Sequence, residues 1–426
     1  MRALSVVMRN EGRGLLVGYS GGLDSTVLLH TLAAIQPTRI RALHVHHGLH
    51  ADADAWAAHC QRSCDALGIE LLIERVCVGT HGLGREGEAR VARHAAFARN
   101  LHDDEVLALA HHRDDQAETF LLRALRGSGV DGLAAMRTWR AYARGWLWRP
   151  LLDTSRGTLR DYATEHHLWW IEDPSNQDAS LDRNFLRTQV MPLLHTRWPH
   201  AEVAFTRSAV LSAEATDLLD AGDDDALTIV RNVDGSLGVD ALRAFPAARR
   251  ARILRRWVAE RGLPPLPGNG IACIERDGLG ASSDGEARFD WAGACIQHWR
   301  GRLHAQPMPS ALPVDWSRDW DGSQILQLPT GATLELSGAV RFDAPLRVHA
   351  RQGGERIMLP GRTHHHALKH VLQDFGIPPW RRIGMPLLTD ADGVMQAAGD
   401  RILSASLATW LHARGARLDW REATIA

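Results

Sequence analysis

Six residues, Ser20-Gly21-Gly22-Leu23-Asp24-Ser25, bring two glycines, two hydroxyls and a carboxylate into one turn. Backbone N–H groups at Gly21 and Gly22, with the Ser20 and Ser25 hydroxyls at a helix N-terminus, make a nest for a compact dianion such as pyrophosphate. A carboxylate at Asp24 repels bare phosphate, so its presence argues for a bridging Mg²⁺. A helix cap is the plain alternative, worth about 1 kcal/mol. A cap explains one such residue, not two glycines and three polar side chains together. A Walker loop needs a lysine after its last glycine, and Lys369 is the only lysine in the chain. A GxGxxG turn is absent here as well.

Further along, "AHHRDDQAET" (110–119) puts Asp115 and Glu118 three residues apart, on one helical face. Such a pair could hold a cationic group. Asp114 points about 100° away from Asp115 around the helix. His111 stands where a strand ends, a candidate for phosphate contact or proton transfer.

These residues need a frame that brings them together, and the first two hundred residues supply it. "GLLVGYS", "RIRALHVHH", "IELLIERVCV" and "EVLALAHH" read as buried strands, each followed by a helical stretch. Such alternation predicts an α/β fold with a doubly wound parallel sheet. Ligands in these folds sit beyond the carboxyl ends of the strands, where Ser20, His46 and His111 fall. A glycine-rich loop precedes the helical "GEARVARHAAFARNLH".

From about Glu202 helical patterns dominate. "AARRARILRRWVAERG" (247–262) gathers Ile253, Leu254, Trp257 and Val258 on one face and Arg249, Arg252, Arg255 and Arg256 mostly on the other. Residues 306–330 read as a linker, and the last hundred as short strands with the helix "HALKHVLQDFG". The expected domains are 1–200, a mainly helical 201–310, and a small α+β unit over 325–426.

Bulk properties narrow the class. The 426 residues are 45% hydrophobic and 23% charged, with a net charge of −1, so any RNA-binding surface must be local. Arginine carries nearly all the basic charge, and its planar fork suits phosphate. Five cysteines form no CxxC pair or zinc set. The N-terminal "ALSVVM" has no processing site behind it, and no apolar run reaches the length of a membrane span. A reduced, cytoplasmic setting without membrane contact is expected.

The turn at 20–25 resembles the PP-loop ATP pyrophosphatase family, whose members cleave ATP between the α and β phosphates. "HVHHGLHADAD" (44–54), the segment 110–136, "RPLLDTSRGTLRDYA" (149–163) and "EDPSNQDASLDRNFLR" (172–187) are similar to the tRNA(Ile)-lysidine synthetases. Residues 351–382 resemble that family's C-terminal tRNA-binding domain. The resemblance implies ATP-dependent joining of free L-lysine to carbon 2 of the wobble cytidine of a CAU-anticodon tRNA(Ile). The oxygen on that carbon is first adenylated, pyrophosphate leaves, and the lysine ε-amine displaces AMP.

On this footing Asp24, His111 and Arg183 are the expected catalytic residues, with Asp24 also the metal ligand. Ser20, Gly21, Gly22, Asp24, Ser25, Val45, His46 and Arg93 would bind ATP, and Asp115 and Glu118 the lysine. For His112 a surface hydrogen bond remains the better reading. Arg187, Arg252, Arg256, Arg356, Arg362 and Lys369 would contact tRNA. Trp139 or Trp146 could support the unstacked cytidine, although packing is their default role. The histidines around 364–370 read as a loop near RNA phosphate. Lysine must lose a proton before it attacks, since its reference pKa is about 10.4; Asp115, Glu118 and His111 are unranked as acceptors. A homodimer is left open.

Three rivals share parts of this pattern. Sulfur transfer to tRNA needs suitably spaced cysteines, and a glutamine amidotransferase needs a nucleophilic-cysteine domain. A tRNA binder without catalysis has no use for a pyrophosphate nest.

Overall fold

The computed structural model describes residues 13–35, 39–79, 84–103, 105–280 and 287–422. The "ALSVVM" run and the tip of the glycine-rich loop lie outside them. The chain divides into two compact units, Met1–Ala221 and Gly222–Ala426.

The first unit is built on β1 (Leu15–Gly18), β2 (Ile40–His46), β3 (Glu70–Arg75), β4 (Val106–Ala108), β5 (Trp139–Tyr142) and β6 (Gly145–Trp148), in the order β3-β2-β1-β4-β6-β5. All neighbours are parallel except β5 and β6. Helices α1 (Leu23–Ile35), α2 (Ala53–Leu67), α3 (Gly84–Asn100) and α4 (Arg113–Leu125) follow the first four strands, and α5 (Arg156–Glu165) follows β6. Leu15 and Val17 pack into one apolar cluster with Val27, Leu28 and Trp148, while Leu16 packs into another with Phe97, Leu107 and Leu147. Alternate residues of β1 therefore face cores on both sides of the sheet, which is why its run is apolar throughout.

The β5–β6 hairpin is an addition to the expected order. Its residues, "WRAYARGWLW", lack the buried aliphatic run of β1, β2 and β4, and Ala143 turns it at φ +48°. Trp139 stacks on Trp148 at 5.4 Å between ring centroids, so Trp139 is a packing residue. Trp146 remains 40% exposed.

In the second unit, one core gathers the end of the helix Ala201–Val230, the amphipathic helix Ala247–Glu260 and a four-stranded antiparallel sheet. That sheet, built on the hairpin Ala294–Trp299 and Arg302–Pro307, accompanies the helices of this segment. A second core is strand-rich, with the helices Leu368–Asp374 and Ala405–Arg414. The stretch expected as a linker holds the short strands Ser317–Trp320 and Leu326–Gln327, and Leu312 is buried there. Among the described residues no helix is long and apolar enough to cross a membrane.

Candidate active site

The turn after β1 closes on itself. Ser25 Oγ donates to Gly22 O at 3.0 Å, meets Ser20 Oγ at 3.0 Å and accepts from Ser20 N at 3.2 Å. Gly21 has φ +81°, and a Cβ there would stand 2.7 Å from Ile171 Cδ1 and 2.9 Å from Cys60 Sγ. Both conformation and packing therefore demand glycine. Ile171 N donates to Gly21 O at 2.8 Å, which pins the turn from a later segment.

The carboxyl ends of β1, β4 and β6 meet around two adjacent histidines with opposite properties. His112 is 1% exposed. Its Nε2 lies 3.6 Å from Asp24 Oδ2 and 3.4 Å from Asp115 Oδ2, and its Nδ1 lies 3.4 Å from Asp114 Oδ2. Burial alone would lower its pKa, but Asp114, Asp24 and Asp115 outweigh it and raise the value to about 10. His112 is therefore an imidazolium at neutral pH. It faces these carboxylates rather than solvent, and the expectation of a surface hydrogen bond is corrected. His111 is the reverse case. Burial pushes its pKa down to about 3 against the pull of Asp115, with Arg149 adding to the drop.

Asp115 and Glu118 do share a face of α4, and both are buried. Arg187 Nε reaches Glu118 Oε1 at 2.7 Å, and its Nη2 reaches Glu118 Oε2 at 3.0 Å and Asp115 Oδ1 at 3.1 Å. Arg183 Nε lies 3.2 Å from Glu118 Oε2, and its Nη2 donates to Thr119 Oγ1 at 2.8 Å. Burial and nearby Asp115 push Glu118 above the usual carboxylate range, although Arg187 opposes them. Burial also acts to raise Asp115, but His112, His111 and Arg183 hold it below that range.

One buried oxygen stands out. Asp24 Oδ1 has no hydrogen-bond partner, and no cluster of three metal-ligating side chains exists among the described residues. A lone carboxylate oxygen at a phosphate nest fits a cation that takes its remaining ligands from phosphates and water, as Mg²⁺ does.

Other expected residues are placed differently. His46 is buried with Nε2 3.2 Å from Asp54 Oδ1 and 3.3 Å from Arg75 Nη1, so its ring is engaged beneath α2 rather than open to adenine. Val45 beside it is half-buried. Arg93 on α3 is exposed, and its Nε donates to His47 Nε2 at 3.5 Å. It remains available for phosphate. Arg187, expected at the tRNA, is paired here with Glu118 and Asp115.

Arg252 and Arg256, also expected at the tRNA, are paired within the chain too. Arg249 and Arg252 both pair with buried Asp223, and Arg256 pairs with Asp224 and Glu260. Asp223 and Asp224 thus take up Arg249, Arg252 and Arg256 while Arg255 stays exposed, a pairing whose partners lie too far apart in sequence for helical periodicity to reveal. Arg356, Arg362 and Lys369 stay exposed, with Arg356 Nη2 donating to His365 O at 2.7 Å.

Sequence reasoning missed Arg149, which is 4% exposed and donates Nε to His111 Nδ1 at 3.2 Å. The only signal for it was its place at the head of the segment 149–163.

Comparison with known proteins places this architecture. Family models match residues 1–194 (PP-loop domain), 237–304 (TilS substrate binding domain) and 346–420 (TilS substrate C-terminal domain). A tRNA(Ile)-lysidine synthase from Xanthomonas campestris pv. campestris (strain 8004) is 52% identical over 432 residues, spanning 100% of this chain and 99% of that protein. The tRNA(Ile)-lysidine synthase of Xanthomonas axonopodis pv. citri (strain 306) is 55% identical over 97% of this chain and 95% of its own. That of Xylella fastidiosa (strain 9a5c) is 53% identical over 97% and 96%.

Proposed function

This chain belongs to the tRNA(Ile)-lysidine synthase family, ATP-using enzymes that form lysidine on tRNA(Ile), and from that premise we propose how its residues divide the work. The amino-acid substrate is free L-lysine, and the acceptor is the wobble cytidine of a CAU-anticodon tRNA(Ile). The cytosine oxygen on carbon 2 attacks the ATP α-phosphate, the bond to the β-phosphate breaks, and pyrophosphate leaves. The ε-amine then attacks carbon 2 and AMP departs. A cytoplasmic setting is part of the proposal, and a homodimer stays open.

Most of the first step is positioning and electrostatic stabilisation. The N–H groups of Gly21 and Gly22 and the Ser20 and Ser25 hydroxyls would cradle pyrophosphate, and Arg93 would reach the outer phosphates. Val45 would flank the adenine. Asp24 would hold Mg²⁺, which when bound supplies positive charge to the phosphate oxygens. His111, neutral at working pH, suits a hydrogen bond to the α-phosphate. Arg183 adds a cation beside it.

In the second step Asp115 and Glu118 would form the lysine site. Arg187 already pairs with both, so lysine enters a cage that is partly neutralised. His112 already carries its proton and burial holds His111 down to about 3, so neither readily takes the ammonium proton, which is left to the carboxylates. The exposed Arg356, Arg362 and Lys369 are the proposed tRNA contacts. What most supports this reading is that His112 ties Asp24 of the phosphate turn to Asp115 of the acidic pair, so nucleotide and amino acid would share one site.

The test incubates the protein with ATP, Mg²⁺, radiolabelled lysine and CAU-anticodon tRNA(Ile). Lysine should become attached to the RNA with release of AMP and pyrophosphate. An ATP-dependent change of the tRNA that incorporates no lysine would overturn the reading.

A further inference from the structure

Arg149 follows directly on β6, and its buried guanidinium has work to do that a salt bridge does not explain. Among the described residues no carboxylate pairs with it within ion-pair distance. Instead Nη1 donates to Arg137 O at 2.8 Å, and Nε donates to His111 Nδ1 at 3.2 Å. Its charged neighbours are Arg140, Arg90 and Arg123, all of the same sign. A buried cation without a counter-ion is costly, and its two contacts both use it as a fixed donor.

The contact to His111 has a chemical consequence. A guanidinium has donors and no acceptor, so the nitrogen facing it must offer a lone pair. Nδ1 of His111 is thereby unprotonated, and in the neutral ring the proton resides on Nε2. We propose that Arg149 is a positioning residue that holds His111 in the Nε2–H tautomer, so that the ring nitrogen turned away from Arg149 is a hydrogen-bond donor to the reacting phosphate. His111 then acts as a neutral donor and transfers no proton. The bond to the β-phosphate breaks with pyrophosphate leaving as the anion, and His111 keeps its hydrogen throughout.

The geometry also separates the two roles open to His111. A general base needs a free lone pair directed at the substrate. The lone pair of this ring is occupied by Arg149. The proposal rests on the reading of His111 as a site residue, and its test separates the two.

The experiment labels histidine with ¹⁵N in the full chain and identifies the His111 signals by their loss in His111→Gln. Wild type should show Nδ1 unprotonated and Nε2 protonated at neutral pH. Arg149→Lys keeps a cationic donor and should retain that tautomer, with adenylation within about threefold of wild type. Arg149→Glu presents an acceptor and should move the proton to Nδ1. In Arg149→Glu kcat for adenylation should fall about 100-fold, the scale for losing one donor to developing charge, while KM for tRNA stays unchanged. A wild-type His111 protonated on Nδ1 overturns the proposal, whatever the variants do. So does an Arg149→Glu protein that loses activity with its tautomer unaltered, since Arg149 would then act through packing alone. Wild-type adenylation in His111→Gln removes His111 from the site itself, and with it the catalytic consequence of the tautomer.

Discussion

Nε2 of His112 lies 3.6 Å from Oδ2 of Asp24, which ties the phosphate turn after β1 to the first turn of α4. The same imidazolium faces Asp114 and Asp115. One buried cation thus holds three carboxylates at the carboxyl end of the sheet, where the chain has no Walker lysine. The contact also links the two halves of the proposed reaction, and its strength depends on pH.

The pH dependence has a definite sign. His112 titrates near 10 in the folded protein against about 6.5 when unfolded. Its contribution to stability is therefore fully present below pH 6.5 and is lost as pH rises toward 10. Urea unfolding of His112→Gln should give a flatter stability profile than wild type across that window. Parallel profiles would show that His112 is not charged in the fold.

Asp24→Asn should lower adenylation by about 100-fold or more, the scale for removing a main electrostatic contact of the transition state. Pyrophosphate release with ATP and tRNA in the absence of lysine reports that step. A variant that releases pyrophosphate at the wild-type rate would take Asp24 out of the nucleotide site.

Asp115→Ala should raise the lysine concentration needed for half-maximal ligation, with adenylation much less affected. Comparing lysine titrations with lysine-independent pyrophosphate release separates the two effects. An unchanged lysine requirement would exclude Asp115 from the amino-acid site.

Arg187→Ala leaves Glu118, 1% exposed, with Arg183 as its remaining ion-pair partner among the described residues. Breaking a buried pair in this way costs about 3 kcal/mol. The loss should shrink as pH falls, because Glu118 can then take a proton and bury no charge. Chemical denaturation at pH 7 and pH 5 would show the difference, and an equal loss at both values would contradict it.

Lys369→Ala and Arg362→Ala should each weaken tRNA binding and reduce its salt slope by about one. Arg252→Ala should leave the salt slope unchanged, because that guanidinium is paired with Asp223. Filter binding across a salt series distinguishes the two sets.

The sequence by itself determined what is local. Ser20 to Ser25 could be read as a phosphate turn because glycine at 21 and hydroxyls at 20 and 25 act within one turn. The strands β1 and β4 were legible because buried parallel strands are apolar throughout, whereas β3, expected to be buried, lies at the sheet edge with none of its residues buried; Asp115 and Glu118 could be placed on one face because helical spacing dictates it. Only the tertiary structure decided which charge meets which. His111 and His112 are adjacent in sequence, yet burial holds the first neutral while Asp114, Asp24 and Asp115 keep the second charged. Arg187 meets Glu118 across 69 residues, and Arg252 meets Asp223 across 29. Helical periodicity shows which face an arginine is on, but not what that face is packed against. Charges take their meaning from neighbours in space, and those neighbours are set by folding.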